Sequence, residues 1–222
     1  MKLILDTANI EKIKEYLDYL PVHGVTTNPS ILKKEGKINF FNHMKQIRQL
    51  IGFERSLHVQ VIASDYEGIL ADAKKILNEI DKQVYVKIPV TKDGLKAIQT
   101  LKQEGVSITA TAIYTEMQAL LALEAGADFL APYVNRMSLL QTNPYQLIQR
   151  VQKQIDQHHY PSQLLAASFK QVSQVTDSLE AGTDYVTLGI EVLDQLLNYP
   201  MIDKAVSDFA ADWQAVFGSE QL

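Results

Sequence analysis

Eight short runs rich in β-branched and other apolar residues recur along this 222-residue chain, each followed by a helix-length amphipathic stretch. The runs lie at Leu3–Asp6, His23–Asn28, Leu57–Ile62, Val84–Val90, Val106–Ile113, Phe129–Val134, Leu164–Lys170 and Tyr185–Gly189. Between them apolar residues fall at helical spacing, as in Ile69, Ala73, Ile76 and Ile80, or Leu95, Ile98 and Leu101. Asp65 and Thr91 stand where N-caps belong. Glu104-Gly105, Ala125-Gly126 and Ala181-Gly182 supply the glycine stops that end helices before the next strand. Strands that alternate with helices over short connections must run parallel. Eight such units in a chain of this length predict an α/β fold, one (β/α)8 TIM barrel rather than a doubly wound sheet. No Gly/Ser/Pro-rich linker, low-complexity tract or repeat divides the chain, so residues 1–222 read as a single barrel domain.

Past the eighth helix, Val206, Phe209, Trp213 and Val216 form an apolar stripe with Phe217 beside it, which predicts an additional C-terminal helix over residues 203–217. Two readings stay open for it. It closes the barrel bottom or packs on its own shell, or it clamps a neighbouring subunit.

Composition excludes several classes of function. The net charge of −5 and a pI of about 5.5 leave no basic field for nucleic acid or an anionic membrane. There are no cysteines, which removes disulfides, thiolate metal sites and a cysteine nucleophile. No apolar stretch approaches the roughly 20 residues that span a bilayer, and the N-terminal MKLILD reaches an acid too early for a signal peptide. A cytoplasmic location is the expectation.

Side chains alternate along a barrel strand between the helix side and the interior. In the fourth run Val84, Val86, Ile88 and Val90 share the branched, outward phase, so Lys87 points inward. A closed barrel has no edge, and an inward lysine is costly to bury unless the site uses it. The same rule turns Asp6, Thr26, Asn28, His58, Gln60, Thr109, Thr111 and Tyr133 inward. It is extended to Ser168 and Lys170 in the seventh run, and it sends Ala112 outward. Most of these groups lie near strand C-termini, the mouth where catalytic residues of such barrels collect. Asn28, before Pro29-Ser30, also suits a turn, and His58 suits a satisfied core histidine.

A desolvated amine, or one beside a second cation such as Arg136 or Lys170, titrates lower and becomes a nucleophile. With a ketone it forms an iminium, an electron sink that makes the adjacent C–C bond breakable. Asp6 is the inward acid that can act at the neighbouring hydroxyl. Asn28, Thr111 and Ser168 can hold a polyol, and Ser168, Lys170 and Arg136 suit a phosphate, although a plain surface role for both cations stands beside that reading. The five histidines are scattered, so no metal site is indicated, and no GxGxxG fingerprint calls for a dinucleotide. No cofactor is expected.

The segments LDTAN, GVTTNPS, VKIPVT, TATAIY, APYVNR and AASFK resemble the small transaldolase family, closest to its fructose-6-phosphate aldolase branch, from Asp6 to the DFAADW helix. The resemblance implies a Schiff-base lysine at Lys87 and Asp6 as acid/base. It places Asn28, with Thr26, on substrate, and Ser168, Arg136 and Lys170 on the phosphate. Transaldolases typically carry Glu, Ser and Phe where this chain has Gln60, Ala131 and Tyr133, which is the aldolase pattern. A phenol beside a water held by Thr111 and Gln60 makes a proton relay to the enamine. The implied activity is cleavage of fructose 6-phosphate, or a similar sugar, to dihydroxyacetone and an aldehyde. The alternative is transfer of dihydroxyacetone to an aldose phosphate in the pentose phosphate pathway. A non-catalytic phosphosugar-binding barrel is the third reading. The family also implies a homo-oligomer, a pentameric ring or a decamer. Met137-Ser138-Leu139-Leu140-Gln141 and Gly189 depart from the family pattern, both at the rim of the mouth.

Overall fold

Each of the eight runs forms a strand in a computed structural model of the chain, which describes residues 1–219 and 221. The strands are β1 (Lys2–Asp6), β2 (Val22–Thr26), β3 (Ser56–Gln60), β4 (Tyr85–Pro89), β5 (Ile108–Ile113), β6 (Phe129–Pro132), β7 (Gln163–Ala166) and β8 (Tyr185–Leu188). They pair in parallel in chain order, and β8 returns to β1 to close the barrel. The helices are α1 (Ile10–Tyr19), α2 (Pro29–Leu32), α3 (Phe40–Ile51), α4 (Tyr66–Glu79), α5 (Lys92–Gln103), α6 (Glu116–Glu124), α7 (Val134–Leu139), α8 (Pro144–His158), α9 (Val172–Glu180), α10 (Ile190–Leu197) and α11 (Pro200–Phe217).

Local chemistry sets the ends of these elements. Asp65 and Thr91 cap α4 and α5 by accepting from the backbone N–H three residues on, as do Asn9, Asn28, Asn39 and Thr115 at other helices. Gly105, Gly126 and Gly182 sit at positive φ just past α5, α6 and α9, a conformation that costs glycine nothing.

The core has two parts. Outward residues such as Leu5, Val25, Val59, Val86 and Ile88 pack with the helices in one large cluster. Inside the barrel Ile4, Phe129 and Leu165, with Tyr85 and Tyr185, form a separate plug at the N-terminal end. His58 stacks on Tyr85 with ring centroids 4.8 Å apart. Its Nδ1 lies 2.8 Å from Thr109 Oγ1 and its Nε2 2.9 Å from Ser56 Oγ, so it is a satisfied core histidine. Burial, and then the nearby Lys87, hold it well below the ordinary imidazole range, and it is neutral.

Two expectations of strand phase need correction. Ala112 does not face the helices. It takes a positive φ of 57° at a register shift between β5 and β6, turns into the mouth, and leaves the helix-facing place to Ile113. In β7 the inward residue is Leu165, while Leu164 and Ala166 face the helices. Ser168 and Lys170 therefore do not inherit an inward strand phase. Ser168, at φ 63°, turns the chain over the barrel end and brings both residues to the mouth by a loop.

The C-terminal helix α11 starts three residues earlier than expected, with Pro200 in its first turn. None of its residues is fully buried, and Ala205 and Trp213 are half-buried. Phe209 is 70% exposed, and Met201, Ile202, Val206, Val216 and Phe217 are exposed with it.

Candidate active site

Lys87 lies in the middle of β4, in register with Gln60 of β3 and Thr109 of β5. The neighbouring residues Val86 and Ile88 are fixed against the helices, which forces the lysine inward. Only 5% of it is exposed, and its one side-chain hydrogen bond among the described residues runs from Nζ to the Thr27 carbonyl at 3.0 Å. An ammonium has three protons to place; a neutral amine has two and a free lone pair. Burial pushes the Lys87 amine below the usual lysine range, against a smaller opposing pull from Asp6. The sparse hydrogen bonding and the direction of the shift both make this amine easier to deprotonate than an ordinary lysine.

Asp6 ends β1, in register with Thr26 at the end of β2. The Thr26 hydroxyl donates to Asp6 Oδ1 at 2.7 Å and lies 2.5 Å from the Thr187 hydroxyl. A threonine has one hydroxyl proton, and Thr26 gives its own to Asp6, so Thr187 is the donor in the second contact. Desolvation raises the Asp6 carboxyl above its ordinary value, opposed first by Lys87 and then by Thr26. Burial thus lowers the amine and raises the acid, perturbations of the kind that cluster at functional sites.

These groups floor a cavity of about 710 Å³ at the C-terminal mouth of the barrel. Asp6, Thr26, Asn28, Gln60, Lys87, Ala131, Tyr133, Arg136, Ser168 and Lys170 all line it; of the residues expected there, only Thr111 does not. Thr111 stands behind Tyr133, with its hydroxyl 3.0 Å from the phenol. Burial raises the Tyr133 phenol, opposed by Thr111 and by Arg136, so it stays protonated as a donor. Gln60 Oε1 is buried with no hydrogen-bond partner among the described residues, an expensive condition for an amide oxygen. Asn28 spends its Oδ1 on the N–H of Ile31, which fixes the side chain and serves as the α2 cap.

The rim is tied together by backbone bonds. Val134 N–H donates to Ala167 C=O at 2.9 Å and Asn135 N–H to Ser168 C=O at 3.0 Å, which locks the loop after β6 to the loop after β7. Gln174 joins them, accepting from Lys170 N–H and donating to Asn135 Oδ1. Arg136 reaches the Tyr114 hydroxyl at 3.1 Å and lies over the Tyr133 ring at 4.9 Å.

Thr187, Lys34 and Glu191 are among the lining residues that sequence reasoning missed. Thr187 was readable, because Val186 and Leu188 claim the outward phase of β8. Lys34 comes from the turn after α2 and Glu191 from the first turn of α10, where the period-two strand rule gives no direction.

A closed parallel barrel whose mouth joins a desolvated amine, a carboxylate and cationic loops defines a barrel enzyme with its site on the usual face. The chain belongs to the transaldolase/fructose-6-phosphate aldolase family, whose description matches residues 3–220. A "Probable fructose-6-phosphate aldolase" from Streptococcus pneumoniae is 50% identical over 222 residues, covering the whole of both chains. The protein is thus an enzyme of the aldolase–transaldolase type. No helix among the described residues is long and apolar enough to cross a membrane.

Proposed function

We propose that the protein is a class I, metal-free aldolase that reversibly cleaves fructose 6-phosphate, or a similar ketose, to dihydroxyacetone and an aldehyde. For fructose 6-phosphate that aldehyde is glyceraldehyde 3-phosphate. The observation that carries this reading is Lys87, buried, with an amine that bonds only the Thr27 carbonyl among the described residues, on the floor of the cavity that Asp6 also lines.

The free Lys87 amine adds to the ketone carbon to give a carbinolamine, which loses water to form an iminium. Asp6 takes the proton of the hydroxyl two carbons along, and the intervening C–C bond breaks. The aldehyde leaves and the electron pair moves into an enamine on Lys87. A proton delivered to the enamine carbon regenerates an iminium, and water releases dihydroxyacetone and the free amine. Tyr133, protonated and bonded to Thr111, is suited to deliver that proton. The unpartnered Gln60 oxygen would hold the water between phenol and enamine. Asn28 and Thr26 hold the sugar hydroxyls, and Ser168, Arg136 and Lys170 hold the phosphate.

Transaldolase chemistry shares the first half and differs in the fate of the enamine, which waits for an acceptor aldehyde. The neutral Gln60 and the Tyr133 phenol favour release. A homo-oligomer, a pentamer or decamer in which α11 reaches a neighbour, accords with the exposed apolar face of that helix. A reducing cytoplasm suits the cysteine-free chain.

The deciding experiment incubates the protein with fructose 6-phosphate, with and without an aldose acceptor, and traps with borohydride. An adduct on Lys87 and free dihydroxyacetone without acceptor support the lyase. Turnover only with acceptor assigns a transferase, and the lack of an adduct on Lys87 removes the Schiff-base mechanism.

A further inference from the structure

Glu191 opens α10 at the rim of the cavity, and lysines from two distant loops converge on its carboxylate. Lys170, beyond β7, reaches Oε2 at 3.0 Å. Lys34, in the turn after α2, reaches Oε1 at 3.4 Å. All three residues line the same cavity as Lys87. Lys170 first, and then Lys34, hold the Glu191 carboxyl below its usual range, so it is ionised at neutral pH.

Each of the three side chains is more than half exposed, and ion pairs of that kind stabilise a fold very little. Their significance lies in what they occupy. A phosphate monoester offers three acceptor oxygens and a charge approaching about −2, a better match for two ammonium groups than a single carboxylate. It cannot have both lysines while Glu191 keeps them. Arg136, in α7 after β6, bonds the neutral Tyr114 phenol and no carboxylate among the described residues.

We infer that Glu191 is a specificity-determining residue, a built-in carboxylate that competes with a bound phosphate for Lys34 and Lys170. It sets how strongly the site prefers phosphorylated over unphosphorylated ligands. The inference rests on reading this mouth as a phosphosugar site. Lys34 enters that site as a second lysine, supplied by the turn after α2.

The test measures binding of inorganic phosphate to the full-length protein in Glu191→Gln, Lys34→Met and the double variant, by calorimetry at low salt. Glu191→Gln is expected to tighten phosphate by about 3- to 10-fold and to steepen its salt dependence, because both lysines come free. Lys34→Met is expected to weaken phosphate more in the Glu191→Gln background than in the wild type, where Glu191 already holds the lysine; that non-additivity is the signature of competition. Unchanged or weaker phosphate binding in Glu191→Gln, or an equal loss from Lys34→Met in both backgrounds, overturns the inference. Trapping of dihydroxyacetone on Lys87 is measured separately. A protein that forms the adduct but shows no phosphate gain loses this inference alone. A protein that gains phosphate affinity but forms no adduct loses only the proposed reaction.

Discussion

The Thr187 hydroxyl, 2.5 Å from that of Thr26, donates to it and leaves the Thr26 proton free for Asp6. Two strands on either side of β1 thus feed one carboxylate through a chain of hydroxyls. Thr187→Val keeps the shape and removes the outer donor, so the carboxylate loses part of its support and its pKa rises. A hydrogen bond to a charged group contributes roughly 1.5–3 kcal/mol and an indirect one less, so a rise of up to about one unit is expected. The acid limb of kcat/KM for fructose 6-phosphate cleavage should move to higher pH by that amount. An unmoved limb with a lower plateau would assign Thr187 to packing alone.

Lys87 links the site to stability with a definite sign. Its folded pKa lies below the unfolded value of 10.5, so between the two the unfolded chain holds one more proton. Stability from this group therefore rises with pH through that window and is lowest below the folded pKa. Lys87→Met, close in shape and uncharged, should unfold at higher urea than the wild type at pH 7, with the gap narrowing toward pH 10. It should also form no borohydride-trapped adduct with dihydroxyacetone. A gap that widens with pH would contradict a Lys87 pKa lowered by burial.

Asp6 raises the Lys87 amine, and in the proposed reaction it is also the partner in bond cleavage. Asp6→Asn should lower the pH midpoint of adduct formation at Lys87 and slow C–C cleavage by about 100- to 10,000-fold, the range typical of lost acid/base catalysis. Rapid trapping with slow cleavage, compared in stopped-flow and steady-state assays, separates the two effects. A midpoint that climbs would mean the carboxylate does not act on the amine through charge.

Tyr133→Phe removes the phenol that Thr111 orients. Release of dihydroxyacetone should fall by at least about tenfold more than transfer to an added aldose, because only release needs the enamine protonated. Equal losses in the two assays would remove the relay.

Truncation before Asp203 deletes most of α11, a helix with no buried residue, so the barrel should keep its far-ultraviolet spectrum. Light scattering should show a smaller assembly. An unchanged mass would take the helix out of the interface.

Much of this site is legible in the sequence because barrel strands convert a period of two into direction. Val86 and Ile88 commit one face of β4, so Lys87 has nowhere to point but inward, and the same logic places Asp6, Gln60 and Thr111. The logic fails where the backbone leaves the strand. Ala112 and Ser168 adopt positive φ, which resets the phase by rotation about one residue, and neither is a glycine that would have flagged it. Lys34 and Glu191 are 157 residues apart in the chain and meet only because the barrel closes. Their pairing is a product of topology, which no local pattern carries. The stripe on α11 announces an amphipathic helix, but an apolar face alone does not say what covers it.

That uncovered face has a thermodynamic consequence. An isolated helix of 18 residues is marginal in water, and α11 has no fully buried residue to hold it. Its folding is therefore tied to whatever surface it meets, and if that surface is another copy, mass action governs it. Dilution should then act on this one helix as a denaturant acts on a whole protein, fraying it first while the eight-stranded core and its lysine remain intact.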